Sequence, residues 1–85
     1  MHYKIEIVRK AEKDFKKLPK ELQSRIQEAI FNLAVNPRPH NVRKIEGGTN
    51  EYRIRIGDYR VVYTIKNKDK IITIYRVRHR KDSYR

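Results

Sequence analysis

Residues 51–65, EYRIRIGDYRVVYTI, constrain the fold more than any other segment of the chain. Two runs of alternating apolar and polar side chains flank a Gly-Asp pair, and such alternation is typical of half-buried β-strands. Gly57 would occupy the first position of a two-residue turn, which favours a type II′ hairpin. The predicted pairs on the apolar face of this hairpin are Ile56 with Tyr59, Ile54 with Val61 and Tyr52 with Tyr63.

The other face of this hairpin would carry like charges, because Arg55 falls opposite Arg60 in the same register. A further strand over residues 70–79 continues the sheet, and a three-residue turn at 67–69 would place Arg60 opposite Arg76 as well. The same register pairs Tyr63 with Thr73, Val61 with Tyr75 and Tyr59 with Val77. Six arginines then share one face, namely Arg53, Arg55, Arg60, Arg76, Arg78 and Arg80, together with Val62, Ile72 and Ile74.

Directly opposed like charges in a sheet are unfavourable, so folding gains nothing from this face. A bound anion would relieve the repulsion, and the planar guanidinium group matches the geometry of phosphate. The face therefore predicts a binding surface for an RNA or DNA backbone. Two alternatives stay open: hydrated surface arginines without a ligand, and a docking surface for a partner peptide.

The N-terminal half predicts one strand and two helices. Residues 3–8 alternate as a strand does, and two apolar stripes with helical spacing follow, separated by Pro19 and ended by the segment NPRP. The stripes consist of Ala11, Phe15 and Leu18, and then of Leu22, Ile26, Ala29, Ile30 and Leu33. A short strand is expected at 42–45. Residues 1–85 thus predict one α+β domain: an N-terminal strand, a helical hairpin, and an antiparallel β-meander with a basic concave face.

The composition favours a polyanionic partner. The chain has 85 residues, with 22 lysines and arginines against 10 aspartates and glutamates, and its formal net charge is +12. A merely charge-rich surface is the alternative. The absence of cysteine excludes disulfides and thiolate metal sites, which fits a cytoplasmic setting. We expect neither a signal peptide nor a membrane-spanning segment, because no apolar run is long enough for either.

Metal-dependent and serine-nucleophile chemistry are poorly supported, because the three histidines lack metal-site spacing and neither serine lies in a recognisable nucleophile motif. RNA can be cleaved without metal if a proton acceptor, a proton donor and cations surround the phosphate. His79 could exchange a proton near neutral pH, and arginines would favour the phenolate form of Tyr84. Alternatively, His79 is a packing or capping residue, and Tyr84 anchors the C-terminus on the sheet.

Three segments, KKLPKELQSRIQEAIFNLAVNP, GDYRVVYTI and YRVRHRKDSYR, resemble the RelE/ParE toxin superfamily, and the resemblance covers nearly the whole chain. It implies a helical hairpin packed on an antiparallel sheet. RelE-type members of this superfamily cleave mRNA in the ribosomal A site without metal or cofactor. By resemblance, the catalytic residues are Arg60, Arg80 and Tyr84, and the RNA-binding residues are Arg53, Arg55, Arg76, Arg78 and His79.

The roles implied by this resemblance are specific. Arg60 and Arg80 would stabilise the phosphorane, and Arg80 could also assist the leaving oxygen through its charge. Tyr84 would activate the 2′-hydroxyl, while Arg53 and Arg55 would lower its pKa and hold the RNA backbone. The implied partners are mRNA, the ribosome and a RelB-like antitoxin with an acidic C-terminal segment. ParE-type members poison DNA gyrase instead, and a nonenzymatic nucleic-acid-binding module is a further alternative.

Overall fold

A computed structural model describes residues 2–45, 50–79 and 81. These residues form two helices and five strands, and the α+β class that the sequence predicts is confirmed. The elements are β1 (Lys4–Ile7), α1 (Arg9–Lys16), α2 (Lys20–Leu33), β2 (Val42–Lys44), β3 (Glu51–Ile56), β4 (Tyr59–Lys66) and β5 (Ile71–His79). None of the helices described is long and apolar enough to cross a bilayer.

All five strands belong to one sheet with the order β1-β5-β4-β3-β2. Strands β2 to β5 form the predicted antiparallel meander. Strand β1 pairs with β5 in parallel, from Lys4 opposite Ile71 to Ile7 opposite Ile74. The sheet is therefore mixed rather than wholly antiparallel, because the N-terminal strand lies at the β5 edge and runs in the same direction as β5.

The β3–β4 hairpin has the register that its sequence predicts. Ile54 lies opposite Val61, and Arg55 lies opposite Arg60. Gly57 has a φ of 61°, in the left-handed region that glycine adopts without a steric penalty. Asp58 is not among the described residues with positive φ. A positive φ at the first turn position alone is the signature of a type II′ turn.

The predicted register of the β4–β5 hairpin is wrong. Lys66 pairs with Ile71, so the turn has four residues rather than three, and Lys70 closes it with a φ of 57°. The extra residue reverses which side chains of β5 face the core. Ile72 and Ile74, which were expected on the arginine face, are fully buried, whereas Tyr75, expected in the core, is 42% exposed.

A β-bulge restores the alternation further along β5. The register shifts between Val62 and Tyr63, so that Tyr63 pairs with Ile74 while Val62 pairs with Arg76. A bulge inserts one unpaired residue and turns the following side chains to the opposite face. As a result Arg60 lies opposite Arg78, and the expected pairing of Arg60 with Arg76 is also wrong.

The core lies between the helices and one face of the sheet. Both predicted apolar stripes contribute to it, because Ala11, Ile26 and Leu33 are fully buried. The sheet contributes Tyr52, Ile54, Ile56, Val61, Tyr63, Ile65, Ile72, Ile74 and Val77. With the helices on this face, the opposite face of the sheet is left for the arginines.

Candidate functional site

A groove with a volume of about 310 Å³ lies on the sheet face away from the helices. We call it the arginine groove; it is lined by His40, Asn41, Val42, Arg43, Arg53, Arg55 and Arg60. Its residues come from the α2–β2 loop and from strands β2, β3 and β4. Of the described residues that line it, none carries a carboxylate, so its positive charge is not balanced within the groove.

Strand pairing brings the arginines of this groove together. Arg43 lies opposite Arg53, and Arg55 lies opposite Arg60, which is in turn opposite Arg78 on the next strand. Two rows of like charges therefore cross the sheet. Each opposed pair opposes folding by some tenths of a kcal/mol, since like charges facing each other across strands repel.

Arg60 is the most informative residue of the groove. It is half-buried, and its Nη1 atom is shielded from solvent without a hydrogen-bond partner among the described residues. A buried guanidinium nitrogen without a partner costs free energy, more than a neutral group would. Arg55 differs, because its Nε donates a hydrogen bond to the carbonyl oxygen of Gly57 at 3.1 Å. An anion bound beside Arg60 would supply the missing acceptor.

The loop between α2 and β2, residues 34–41, is fixed to the sheet at three points. The Tyr63 hydroxyl donates to the carbonyl oxygen of Pro37 at 2.8 Å. Arg38 donates from Nε to the Tyr52 hydroxyl at 3.2 Å, and its guanidinium carbon lies 5.3 Å from the centre of the Tyr52 ring. Asn41 donates to the Arg55 carbonyl oxygen at 3.1 Å.

Tyr63 is held as a neutral, hydrogen-bonding group. Burial, with a smaller contribution from Tyr52, raises the pKa of Tyr63 well above the usual value, and the charge of Arg38 offsets this only in part. The two rings stack with their centroids 5.9 Å apart. The loop that forms one wall of the arginine groove therefore rests on a buried aromatic pair.

Arg76 and Arg78, predicted for the same surface, lie in a second groove of about 320 Å³ beside residues 75–79 of β5. This part of β5 forms an edge of the sheet as described, because β1 pairs with β5 from Ile71 to Ile74. The Asp14 carboxylate, on α1, accepts two hydrogen bonds from Arg76, at 2.8 and 3.2 Å, and one from the backbone N–H of Val77 at 3.0 Å. Partial burial alone would raise the pKa of Asp14. The hydrogen bonds from Arg76 and Val77 and the charges of Arg76 and Arg78 outweigh it and lower the pKa.

His79 lines the second groove and is not brought into the arginine groove. It pairs with Tyr59 on the helix-facing side of the sheet, and the two rings meet edge to face with centroids 5.1 Å apart. Its Nδ1 accepts a hydrogen bond from the backbone N–H of Lys81 at 3.2 Å. The predicted catalytic residues Arg80 and Tyr84 lie outside the described residues.

Sequence reasoning identified Arg53, Arg55 and Arg60 as neighbours but missed Arg43 and His40. The alternation in the segment HNVRK held a usable signal for Arg43, because an antiparallel register with β3 places it opposite Arg53. His40 offered no such signal, since its place beside the arginines depends on how the loop returns to the sheet.

Within the described ranges, no group of three or more His, Asp or Glu side chains is placed to hold a metal ion.

The model of the ParE toxin family of type II toxin–antitoxin systems matches residues 5–84 of this chain. The chain belongs to the RelE/ParE toxin superfamily. Toxin RelE3 of Methanocaldococcus jannaschii is 38% identical over 76 residues, which cover 85% of this chain and 84% of that relative. Toxin RelE of Mycobacterium tuberculosis is 32% identical over 85 residues, covering 98% of this chain and 87% of the relative.

A solved structure supports the same assignment for the fold of this RelE/ParE homologue. A chain of the archaeal RelE–RelB complex from Pyrococcus horikoshii OT3 superposes with a TM-score of 0.84 and is 36% identical, covering 94% of this chain and 97% of that one. The family that the sequence predicts is confirmed, and the chain is a homologue of the RelE toxins of toxin–antitoxin systems.

Proposed function

We propose that this protein is the toxin of a type II toxin–antitoxin system and a ribosome-dependent endoribonuclease that cleaves mRNA in the A site without a metal ion. The observation that carries this proposal is the shielded Nη1 atom of Arg60, which has no hydrogen-bond partner in the described part of the chain and lies in a groove lined by three further arginines. A phosphodiester placed there would provide acceptors for Arg60 and would neutralise the opposed charges. Arginines can stabilise a developing phosphorane as a metal ion does.

In the proposed reaction, the 2′-oxygen attacks the adjacent phosphorus and the 5′-oxygen leaves. Arg60 and Arg80 stabilise the phosphorane, and Tyr84 accepts the proton of the 2′-hydroxyl. Arg53 and Arg55 hold the RNA backbone. Arg43, which lies opposite Arg53 and lines the same groove, adds a further phosphate contact.

The second groove gives the other predicted RNA-binding residues a separate place in this proposal. Arg78 lies opposite Arg60 and extends the row of arginines towards the β5 edge. Arg76, bound by Asp14, and His79, on the helix-facing side, would contact RNA that continues around this edge. The ribosomal target implies a cytoplasmic site of action.

We further propose that a RelB-like antitoxin with an acidic C-terminal segment neutralises this toxin. The P. horikoshii relative is a RelE–RelB complex. A net charge of +12 on 85 residues favours an acidic partner, since complementary potentials speed association and suppress wrong partners. An acidic segment laid over the arginine groove would exclude RNA from it.

The proposal is tested by primer extension on a defined mRNA held on ribosomes with an empty A site. Wild-type protein should produce a new cut within the A-site codon, and Arg60→Ala should reduce the rate by about 10²-fold or more, the effect of removing one such donor. Arg9→Ala, an exposed arginine at the start of α1, is the matched control and should cut normally. Absence of a cut with folded wild-type protein would refute the proposal.

Gyrase poisoning is the second candidate, because the family model that matches is that of ParE toxins. It predicts loss of DNA supercoiling activity in a purified gyrase assay and no cut in the A-site codon. A nonenzymatic nucleic-acid-binding module would produce neither a cut in the A-site codon nor a loss of supercoiling activity. The same two assays therefore separate the three functions.

A further inference from the structure

Among the described residues that line the arginine groove, one is a histidine. That residue is His40, which lines the groove together with Arg43, Arg53, Arg55 and Arg60. Neither the family assignment nor the opposed arginines explain a histidine at this place. Its loop connects α2 to β2, and His40 itself lies outside the three segments that carry the family resemblance, the first of which ends at Pro37.

None of the groups assigned to the reaction proposed above is a proton donor to the leaving oxygen. Tyr84 is assigned to accept the 2′ proton, and arginine remains protonated in proteins, so Arg60 and Arg80 supply charge but no proton. An alkoxide is a poor leaving group, and protonation of the departing 5′-oxygen assists its release. His79, the other C-terminal candidate, faces the helix side of the sheet.

We propose that His40 is the general acid that protonates the 5′-oxygen of the leaving nucleotide in the arginine groove. This inference rests on the proposed endoribonuclease function and adds a catalytic residue to it. The imidazolium donates the proton that the leaving oxygen needs, in the same groove where Arg60 holds the phosphate.

The structure holds this loop in place as a catalytic group requires. Asn41, the next residue, donates its amide hydrogen to the Arg55 carbonyl oxygen and so continues the strand pairing beyond the start of β2. Tyr63 and Tyr52 fix Pro37 and Arg38 on the other side of His40. His40 is exposed and lies between these two anchors, which restrict the backbone of the loop at this position. A restricted backbone lowers the entropic cost of placing the imidazole beside the substrate.

Cationic residues from three strands line the groove together with His40. They are Arg43 from β2, Arg53 and Arg55 from β3, and Arg60 from β4. A phosphodiester held by these guanidinium groups would lie beside the His40 side chain, which would place its leaving oxygen within reach of the proposed acid.

The proposed step is balanced. The bond between the 2′-oxygen and phosphorus forms as the bond between phosphorus and the 5′-oxygen breaks. The base removes the 2′ proton and His40 transfers its proton to the 5′-oxygen, giving a 2′,3′-cyclic phosphate and a 5′-hydroxyl. Exchange with water restores both groups, and no oxidant, reductant or metal ion is consumed.

The test uses two synthetic mRNAs on ribosomes with an empty A site, one normal and one with sulfur replacing the 5′-oxygen at the scissile linkage. A thiolate leaves without a proton, because thiols are far more acidic than alcohols. His40→Ala should cut the normal mRNA about 10²-fold or more slowly than wild type, the range of general acid catalysis. It should cut the sulfur-substituted mRNA at close to the wild-type rate. His40→Gln, which keeps the size of the side chain, should behave in the same way.

Two controls make the outcomes distinct. His2→Ala, an exposed histidine outside the groove, should cut both substrates as wild type does. Arg60→Ala should be slow on both, since sulfur does not replace charge stabilisation. A normal rate for His40→Ala on the unmodified mRNA, or an equal defect on both substrates, would overturn the role of His40 while leaving the endoribonuclease proposal intact. If wild-type protein cuts neither substrate, both proposals fail.

Discussion

At the residue scale, the charged side chains of Arg60 and Asp14 differ in the hydrogen bonds that they make within the protein. The Asp14 carboxylate has three hydrogen bonds at the β5 edge, two of them from Arg76. Arg60 has a shielded Nη1 atom with no partner among the residues described. The Asp14 charge is paired within the protein and joins α1 to β5. The Arg60 charge is the one that we propose to bind the phosphate of a ligand.

Asp14 should therefore contribute to the stability of the folded protein. Asp14→Asn keeps the shape but removes the charge that strengthens these hydrogen bonds, so we expect a loss of about 2 kcal/mol in the free energy of unfolding at pH 7. Urea denaturation measures this loss. Glu12→Gln on the same helix is the matched control, because Glu12 has only an exposed ion pair with Lys16.

The effect of Asp14→Asn on the free energy of unfolding should depend on pH, and the direction follows from the pKa of Asp14. The pKa of Asp14 is lowered in the folded protein, so its contribution is present above the unfolded pKa of about 3.9 and is lost as pH falls through the folded value. The difference in stability between wild type and Asp14→Asn should shrink below about pH 4. A difference that stays constant down to pH 2 would show that the Asp14 charge contributes no stability.

At the element scale, the β3–β4 turn is held by the conformation of a single residue. A Cβ at Gly57 would meet only the guanidinium nitrogens of Arg25, at 3.8 and 3.9 Å, which is ordinary contact. The φ of 61° is therefore the main cost of a side chain there. Gly57→Ala should lower the free energy of unfolding by about 1 kcal/mol, the penalty for a left-handed alanine.

Urea denaturation of Gly57→Ala, with Gly57→Asn as its control, checks this explanation. Asparagine tolerates the left-handed region better than alanine, so it should restore part of the loss. Equal losses for the two variants would point to contact with Arg25 instead of backbone strain.

The two hairpins also show what sequence could and could not predict. The β3–β4 register followed from a two-residue turn with glycine in its first position, a geometry that fixes every pair beyond it. The segment NKDK gave no such signal, because Lys70 adopts a left-handed φ that glycine or asparagine more often occupies. The bulge at Val62 and Tyr63 then compensated for the extra turn residue, and no local residue type marks it.

Residues of the candidate site were placed correctly from the sequence where the pairing of their strands was predicted correctly. Arg53, Arg55 and Arg60 come from the correctly predicted hairpin and lie together. Arg76 lies elsewhere, held by Asp14, because the expected β4–β5 register was wrong. His40 reaches the groove through the tertiary contacts of its loop. Sequence periodicity does not predict such contacts.

At the scale of the whole molecule, one face of the sheet is apolar and covered by helices while the other gathers cationic residues. Binding of single-stranded RNA should weaken as salt rises, with log affinity falling linearly against log salt concentration. Arg43→Ala should weaken binding of an uncleavable 2′-O-methyl RNA and reduce that slope by about 0.7, the value for one phosphate contact on a single strand.

Fluorescence anisotropy between 50 and 400 mM salt, a range chosen to span roughly one decade of ionic strength, gives this slope. Lys13→Ala on α1 serves as the control, because its exposed ammonium group lies on the helix side of the molecule. An unchanged slope for Arg43→Ala would mean that Arg43 makes no phosphate contact.

The row formed by Arg55, Arg60 and Arg78 affects which substitutions this protein should accumulate under selection. Replacing the central Arg60 with glutamine removes two repulsions and a shielded nitrogen atom that has no hydrogen-bond partner within the described ranges. The folded state should therefore become more stable as the proposed catalytic group is lost. At this position, the proposed activity and the stability of the folded state therefore favour different residues. A population of cells selected only for survival, or for soluble yield, should accumulate substitutions in this row before it accumulates substitutions in the core.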